Sequence, residues 1–291
     1  MTQVTNPTTP ASSVTLPGGG FNIRGTAGDN RLTGGTGPDV VLTFAGNDVI
    51  AAGDGNDLIL TGGGNDNVGG GAGNDLVAAG TGNDVLAGDD GDDRLFGGKG
   101  TDLIDGGAAN DILSGDQGND TVSGGAGNDT IFGGQGNEII SGGDGNDCLF
   151  GGQGNDTVDG GTGNDFISGD RGSDVLTGGA GSDTFYFASI GSDNSGKEAY
   201  GVDTITDFTP AEDKIRLKSG GAFAGLGTSF DSTEFVVDAA FNTGSPTAGT
   251  TNKLVYNPTS GLLYFNSGSG VLTVAQLQTN LTITSNNFEL F

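Results

Sequence analysis

Histidine is absent from this chain, and cysteine occurs once. Without histidine there is no zinc-protease motif, no Ser-His-Asp triad and no ordinary general base titrating near neutral pH. A single cysteine, Cys148, excludes a disulfide scaffold within the chain, so rigidity has to come from another source, such as metal. Basic residues are scarce as well: 10 stand against 37 acidic ones, for a net charge of -27. So anionic a surface argues against nucleic acid and acidic lipid and favours cations as partners. Long apolar runs are missing. No window is suited to spanning a membrane, and residues 1–20, rich in Thr and Pro, lack the basic and apolar regions of a cleavable signal peptide. They read as a flexible leader.

Composition alone, 33% hydrophobic with 61 glycines, describes a disordered chain. Periodicity overrules it. From Gly34 to Phe185 an acid recurs at every ninth position: Asp39, Asp48, Asp57, Asp66, Asp75, Asp84, Asp93, Asp102, Asp111, Asp120, Asp129, Glu138, Asp147, Asp156, Asp165, Asp174 and Asp183. Two residues after each acid is an apolar side chain, from Val41 to Phe185. Two before it is glycine, with Ala109 the one substitute. The unit reads G-G-x-G-x-D-x-U-x, with U apolar.

A nine-residue unit with one apolar side chain buries nothing alone, so the units have to stack. The x-U-x triplet reads as a minimal strand with U inward, followed by six turn residues. Two units form one coil, and successive coils pair as parallel strands about 4.8 Å apart. The acids then fall into two edge columns, Asp39 to Asp183 and Asp48 to Asp174, in steps of eighteen. Bare carboxylates in such a column repel by roughly 1 kcal/mol per neighbouring pair in water, or about 3 to 4 kcal/mol at an effective dielectric of 20. A thin aliphatic core does not easily offset that. A cation between coils does, and carboxylates joined by glycine-turn carbonyls make an all-oxygen site suited to calcium.

The repeat resembles the RTX, or haemolysin-type, calcium-binding nonapeptide, a signature whose sequence form is a general one. The resemblance implies an all-β fold: a right-handed parallel β-roll, a nonapeptide-repeat solenoid, over residues 21–187. A β-rich cap with a type I secretion signal is expected over 188–291, and the leader occupies 1–20. It also implies that each repeat acid listed above is a calcium ligand. Nine odd loops enclose eight gaps and eight even loops seven, so about 15 Ca2+ are expected.

Departures from the motif carry further expectations. Asn30 takes the acid position in a degenerate first unit and reads as a weak terminal site or a cap, the cap slightly favoured. Ala109 brings a Cβ where the turn wants glycine, and Glu138 is one methylene longer than Asp, so both mark soft sites. The residue before the acid is usually Asn, read as closing its own turn. Cys148 falls at an outward strand position, as an incidental small apolar residue or as a free thiol. Odd units end in Leu42, Leu60, Ala78, Phe96, Ser114, Phe132, Phe150, Ser168 and Tyr186, an intermittent apolar ladder that reads as same-face stacking or as a docking surface.

Beyond Asp183 the composition changes. Asp203–Phe208 and Asp213–Leu217 alternate like strands and resemble the segment that follows RTX repeats. That likeness makes Asp203 and Asp207 candidate ligands of a further calcium, beside the plainer reading of turn and strand-edge acids. Residues 253–265 read as a hairpin, Val271 to Leu277 as a short helix, and Leu281 to Phe291 as a closing strand. The terminal Asn287-Phe-Glu-Leu-Phe291 resembles an uncleaved C-terminal export signal.

The function expected from all this is a secreted bacterial calcium-binding protein that folds on Ca2+ after export by type I secretion machinery, with no N-terminal signal. The alternative is a cell-surface, matrix or S-layer-like protein assembling in calcium with itself or with envelope polysaccharide. An enzyme is not expected, since only about twenty residues precede the repeats where relatives carry a catalytic domain. A carboxylate-only enzyme is the remote third reading.

Overall fold

The computed structural model describes residues 2–5, 13–15, 19–188, 201–218, 235–239, 253–266 and 271–291. The chain is an all-β parallel β-solenoid; among the described residues the helical structure is one 3-10 turn, Ser285–Asn287. No helix of the described residues is long and apolar enough to cross a membrane. The chain divides into two compact units, Met1–Leu149 and Phe150–Phe291.

In the first unit, consecutive strands alternate between two parallel sheets. One sheet includes Leu76–Thr81, Arg94–Lys99 and Ile112–Gln117, and the other Asn67–Ala72, Val85–Asp90 and Leu103–Ala108. Leu95 pairs with Leu113 and Leu86 with Ile104, the eighteen-residue step. Strands also occur in the stretch read as a leader: Thr2–Thr5 pairs with Phe21–Arg24, and Ser13–Thr15 with Arg31–Thr33. Residues 1, 6–12 and 16–18 of that leader lie outside the described residues.

From Val49–Asp54 onward the repeat strands run six residues, not three. After Val85-Leu86-Ala87 the ladder skips Gly88 and resumes with Asp89 and Asp90 paired to Gly107 and Ala108. The chain bends at the skipped position, and a glycine φ near +105°, as at Gly98, returns the backbone to the ladder. Each unit thus sends two positions inward. Val41, Val77, Leu95 and Leu113 are fully buried, and so are Ala52, Thr61 and Ala79 at the first position of their units. The buried threonine hydroxyls are satisfied within the column, Thr43 Oγ1 donating to Thr61 O at 2.9 Å and Thr61 Oγ1 to Ala79 O at 2.7 Å.

In the second unit the solenoid pairing continues beyond the repeats. Thr184–Phe187 pairs in parallel with Lys214–Leu217, and that strand with Phe288–Leu290. Asp203–Ile205 pairs with Val175–Ala180 on one side and with Val271–Gln276 on the other. The hairpin forms as expected, Lys253–Tyr256 antiparallel to Leu262–Asn266. Val271–Gln276 is a strand rather than a helix. Its β-branched Val271, Thr273 and Val274 suit a pleated surface, and Leu262–Asn266 offers it a free edge. The closing strand is limited to Phe288–Leu290, because a capping box on Thr284 and Asn287 forms a 3-10 turn just before it.

Candidate metal centre

Within each unit the repeat acids stand in two columns, and they are buried rather than lining an open edge. All seventeen are 0 to 3% exposed, Glu138 included. Along most of each column the backbone N–H at an acid position donates to the Oδ1 of the acid one coil later. Asp39 N to Asp57 Oδ1 is 2.7 Å, Asp57 to Asp75 2.8 Å and Asp75 to Asp93 2.7 Å. The other column repeats this from Asp48 to Asp66 at 2.7 Å and from Asp84 to Asp102 at 2.8 Å. In the second unit Asp156 donates to Asp174 at 2.8 Å and Asp165 to Asp183 at 2.9 Å.

The second oxygen is different. Among the described residues, Oδ2 of Asp48, Asp57, Asp66, Asp75, Asp84, Asp93, Asp102, Asp111, Asp120, Asp129, Asp174 and Asp183 is buried without a hydrogen-bond partner. An ionised oxygen in that state is costly unless a cation neutralises it. Burial is the main cause that pushes Asp75 and Asp111 up to about 7 and Asp84, Asp93, Asp102 and Asp129 up to about 6, with neighbouring carboxylates adding to it.

The remaining donors are backbone carbonyls, since among the described residues no three acidic, cysteine or histidine side chains gather at one point. Their placement is fixed by the glycines. A Cβ on Gly98 (φ +105°) lands 2.2 Å from Gly80 O, and one on Gly100 (φ +145°) lands 1.6 Å from Gly82 O. Carbonyls of the second and fourth unit positions therefore stack from coil to coil, and a side chain at those positions collides with them.

Asn30 shows what that pocket accepts. Its amide nitrogen donates to Thr26 O at 3.1 Å, to Gly28 O at 2.5 Å and to Asp48 Oδ1 at 2.7 Å. A positively polarised NH2 group here contacts the carbonyls of the second and fourth positions and the carboxylate of the following coil. The donor set, hard oxygens with a carboxylate, fits calcium.

Other sequence expectations divide. The asparagine before the acid does not close its own turn. Asn47 Oδ1 instead accepts Asn65 N one coil later at 2.8 Å, and Asn65 Oδ1 accepts Asn83 N at 2.9 Å, a ladder along the turns. Periodic stacking makes the neighbouring coil the nearer donor. Ala109 sits at φ +80°, the left-handed conformation expected to strain a Cβ. Cys148 is exposed at the start of its strand. Outer-face stacking occurs in the second unit, where Phe150, Phe166, Tyr186 and Phe291 follow one another at ring separations of 5.9, 5.2 and 5.1 Å.

Past the repeats, Asp203 takes the next place in one column: Asp174 N donates to its Oδ1 at 3.1 Å. Burial and the facing Asp174 hold its carboxyl well above the usual range. The next place in the other column belongs to Asp213, whose Oδ1 accepts Asp183 N at 3.0 Å, while its Oδ2 accepts Thr209 N at 2.6 Å. Sequence reasoning read Asp213 only as a strand start. Its signal was its position two residues before the apolar Ile215, the D-x-U spacing of the repeat. Asp207 stands outside both columns, its oxygens accepting Gly178 N at 2.9 Å and Gly179 N at 2.7 Å.

The family model of the RTX calcium-binding nonapeptide repeat matches residues 24–59, 42–77, 69–104, 78–113, 105–138, 114–149 and 150–185. No curated protein matches the chain. Among solved structures it is similar to the solution structure of the AlgE6R3 subunit from the Azotobacter vinelandii mannuronan C5-epimerase. Identity is 25%, the match covers 65% of this chain and 79% of that one, and the TM-score is 0.23.

Proposed function

Because the chain belongs to the RTX calcium-binding nonapeptide-repeat family, we propose that it is a secreted protein whose folding is driven by calcium. The repeat acids from Asp39 to Asp183, with Asp203, hold the ions. The observation that carries this reading is the file of buried Oδ2 atoms without a hydrogen-bond partner. When bound, calcium supplies the positive charge that lets these carboxylates ionise in the dry interior. The chain's own residues position it: Oδ1 is anchored on the preceding coil, Oδ2 is turned inward, and the carbonyls of positions two and four close the site.

Counted by gaps, the repeat columns take about 15 ions, and Asp203 and Asp213 each add a gap. Without calcium the fold carries buried charge and a glycine-rich backbone of high conformational entropy, so the chain stays unfolded. At micromolar calcium it is then extended enough for a type I exporter, and it folds at millimolar levels outside. Far-UV circular dichroism with and without a chelator tests this: a strand spectrum that survives complete calcium removal overturns it.

One observation favours a second reading, calcium-dependent assembly at a cell surface with copies of itself or with envelope polysaccharide. Leu60, Phe132, Leu103 and Ile139 are exposed on the outer faces of the first unit at 38, 43, 49 and 57%. Size-exclusion chromatography in calcium separates the two readings, since a concentration-independent monomer excludes self-assembly.

A further inference from the structure

The first unit has two outer sheet faces, built from the residues that flank each inward apolar side chain. From Val40 to Ser141 these flanking positions carry one charge on each face. Arg94 is on the sheet that holds Leu76–Thr81 and Arg94–Lys99, and Asp105 on the sheet that holds Val85–Asp90 and Leu103–Ala108. Both side chains are exposed. A chain with 37 acidic residues thus keeps all but one of them off these positions.

The faces also differ in relief. Leu76 and Ile112 stand on either side of Arg94 in the ladder, in a file of large side chains that begins with Val40 and Leu58. Asp105 lies between Ala87 and Ser123, in a file of small residues that includes Ala51 and Gly69. Beside that shallow file runs a ridge containing Val49, Val85, Leu103 and Ile139, all four exposed. Apolar side chains set out in a row on so acidic a protein mark a contact surface.

Strand direction decides which file meets which. The chain turns back between the two strands of a coil, so the position before the inward residue on one sheet and the position after it on the other share a side of the coil. Arg94 and Asp105 are such a pair, half a coil spacing, ~2.4 Å, apart along the stack. When one copy is laid on another by a simple shift, the large file of the first falls over the small file of the second, and Arg94 over Asp105. Pairing like faces instead leaves each charge against its own sign or covered without an opposite one, and both arrangements are costly.

We propose that the partner of these faces is a second copy of this chain, the Arg94 face of one protomer docking on the Asp105 face of the next when calcium has folded both. This rests on the assembly reading above and names its surfaces. The contact is heterologous, so each added copy presents a fresh face and growth is open-ended. Six strand triplets make a patch of about 24 Å by 10 Å, well below the ~800 Å² per partner of a stable pair. A single contact is therefore weak, and assembly builds up with protein concentration.

The test is sedimentation velocity of the full chain in saturating calcium over a range of protein concentrations, with far-UV circular dichroism to establish that each variant is folded. The mean mass of the parent should rise with concentration. R94D makes both faces acidic and D105R makes both basic, so each alone should need roughly tenfold more protein to assemble. Their equimolar mixture, in which every contact can again join opposite charges, should match the parent. I139E puts a charge on the ridge and leaves the pair intact; it should weaken assembly too, and it carries the decision if a charge variant does not fold. R94D, D105R or I139E assembling like the parent overturns this pairing while leaving assembly itself standing. A folded parent that stays monomeric at every concentration, whether or not envelope polysaccharide retains it, overturns self-assembly in any form.

Discussion

The amide nitrogen of Asn30 lies 2.7 Å from Oδ1 of Asp48, in a ring of oxygens completed by Thr26 O and Gly28 O. Asparagine here is a cap: its N–H groups meet two backbone carbonyls and the Oδ1 of Asp48, while Asp48 Oδ2 keeps no hydrogen-bond partner. Asn30→Asp replaces those donors by a charge facing Asp48. The variant is expected to be less stable in chelator and to bind one more calcium than the parent. Native mass spectrometry counts the ions, and an unchanged count removes Asn30 from the column.

Ala109 carries its Cβ at φ +80°. Ala109→Gly is expected to stabilise the calcium-loaded protein by about 1 kcal/mol, from the left-handed penalty of an L-residue less the entropy that glycine costs. Thermal unfolding in saturating calcium reads this as a higher midpoint, and a lower midpoint counts against strain at this turn.

Asp213 occupies the column place that follows Asp183. Asp213→Asn keeps an acceptor for the Asp183 N–H and removes the charge. One fewer bound ion and a folding midpoint displaced to higher calcium are expected. If calorimetry finds both unchanged, this carboxylate serves only as a hydrogen-bond acceptor.

The calcium-free chain should depend on pH in a direction opposite to ordinary acid denaturation. Folded carboxyls at about 6 to 7, such as Asp84 and Asp75, lie above their value of about 4 in the unfolded chain. The folded state therefore binds more protons between these values, and stability falls as pH rises through 6 to 7. It is fully present only below about 4. In chelator, strand structure measured by circular dichroism should grow on acidification from pH 8 towards 4.5. Growth in the other direction means the carboxylates are not buried in that state.

The nine-residue period by itself determined the coil, its two parallel sheets and the inward files. Val77, Leu95 and Leu113, assigned inward from spacing, are fully buried. Spacing is enough there because a strand side chain has only two faces to choose from, and a one-residue slip exposes every apolar residue at once. The acid columns followed from the same arithmetic. Their burial did not, since it depends on how closely adjacent coils approach. That distance is set by carbonyls stacking against glycines such as Gly98 and Gly100.

Tertiary structure also decided which atom of carboxylates such as Asp57 and Asp75 is left for a cation. Oδ1 is used by the coil before, a partner eighteen residues away, as Asp57 is by Asp39. The same reach across coils made the asparagines a ladder instead of turn closures. Past Asp183 the period is lost, and pairing with whatever edge is free took over. Asp213 entered a column thirty residues after Asp183, and Val271–Gln276 became a strand because Leu262–Asn266 lay beside it. Local sequence sets what a segment prefers where neighbours repeat; where they do not, the available edge decides.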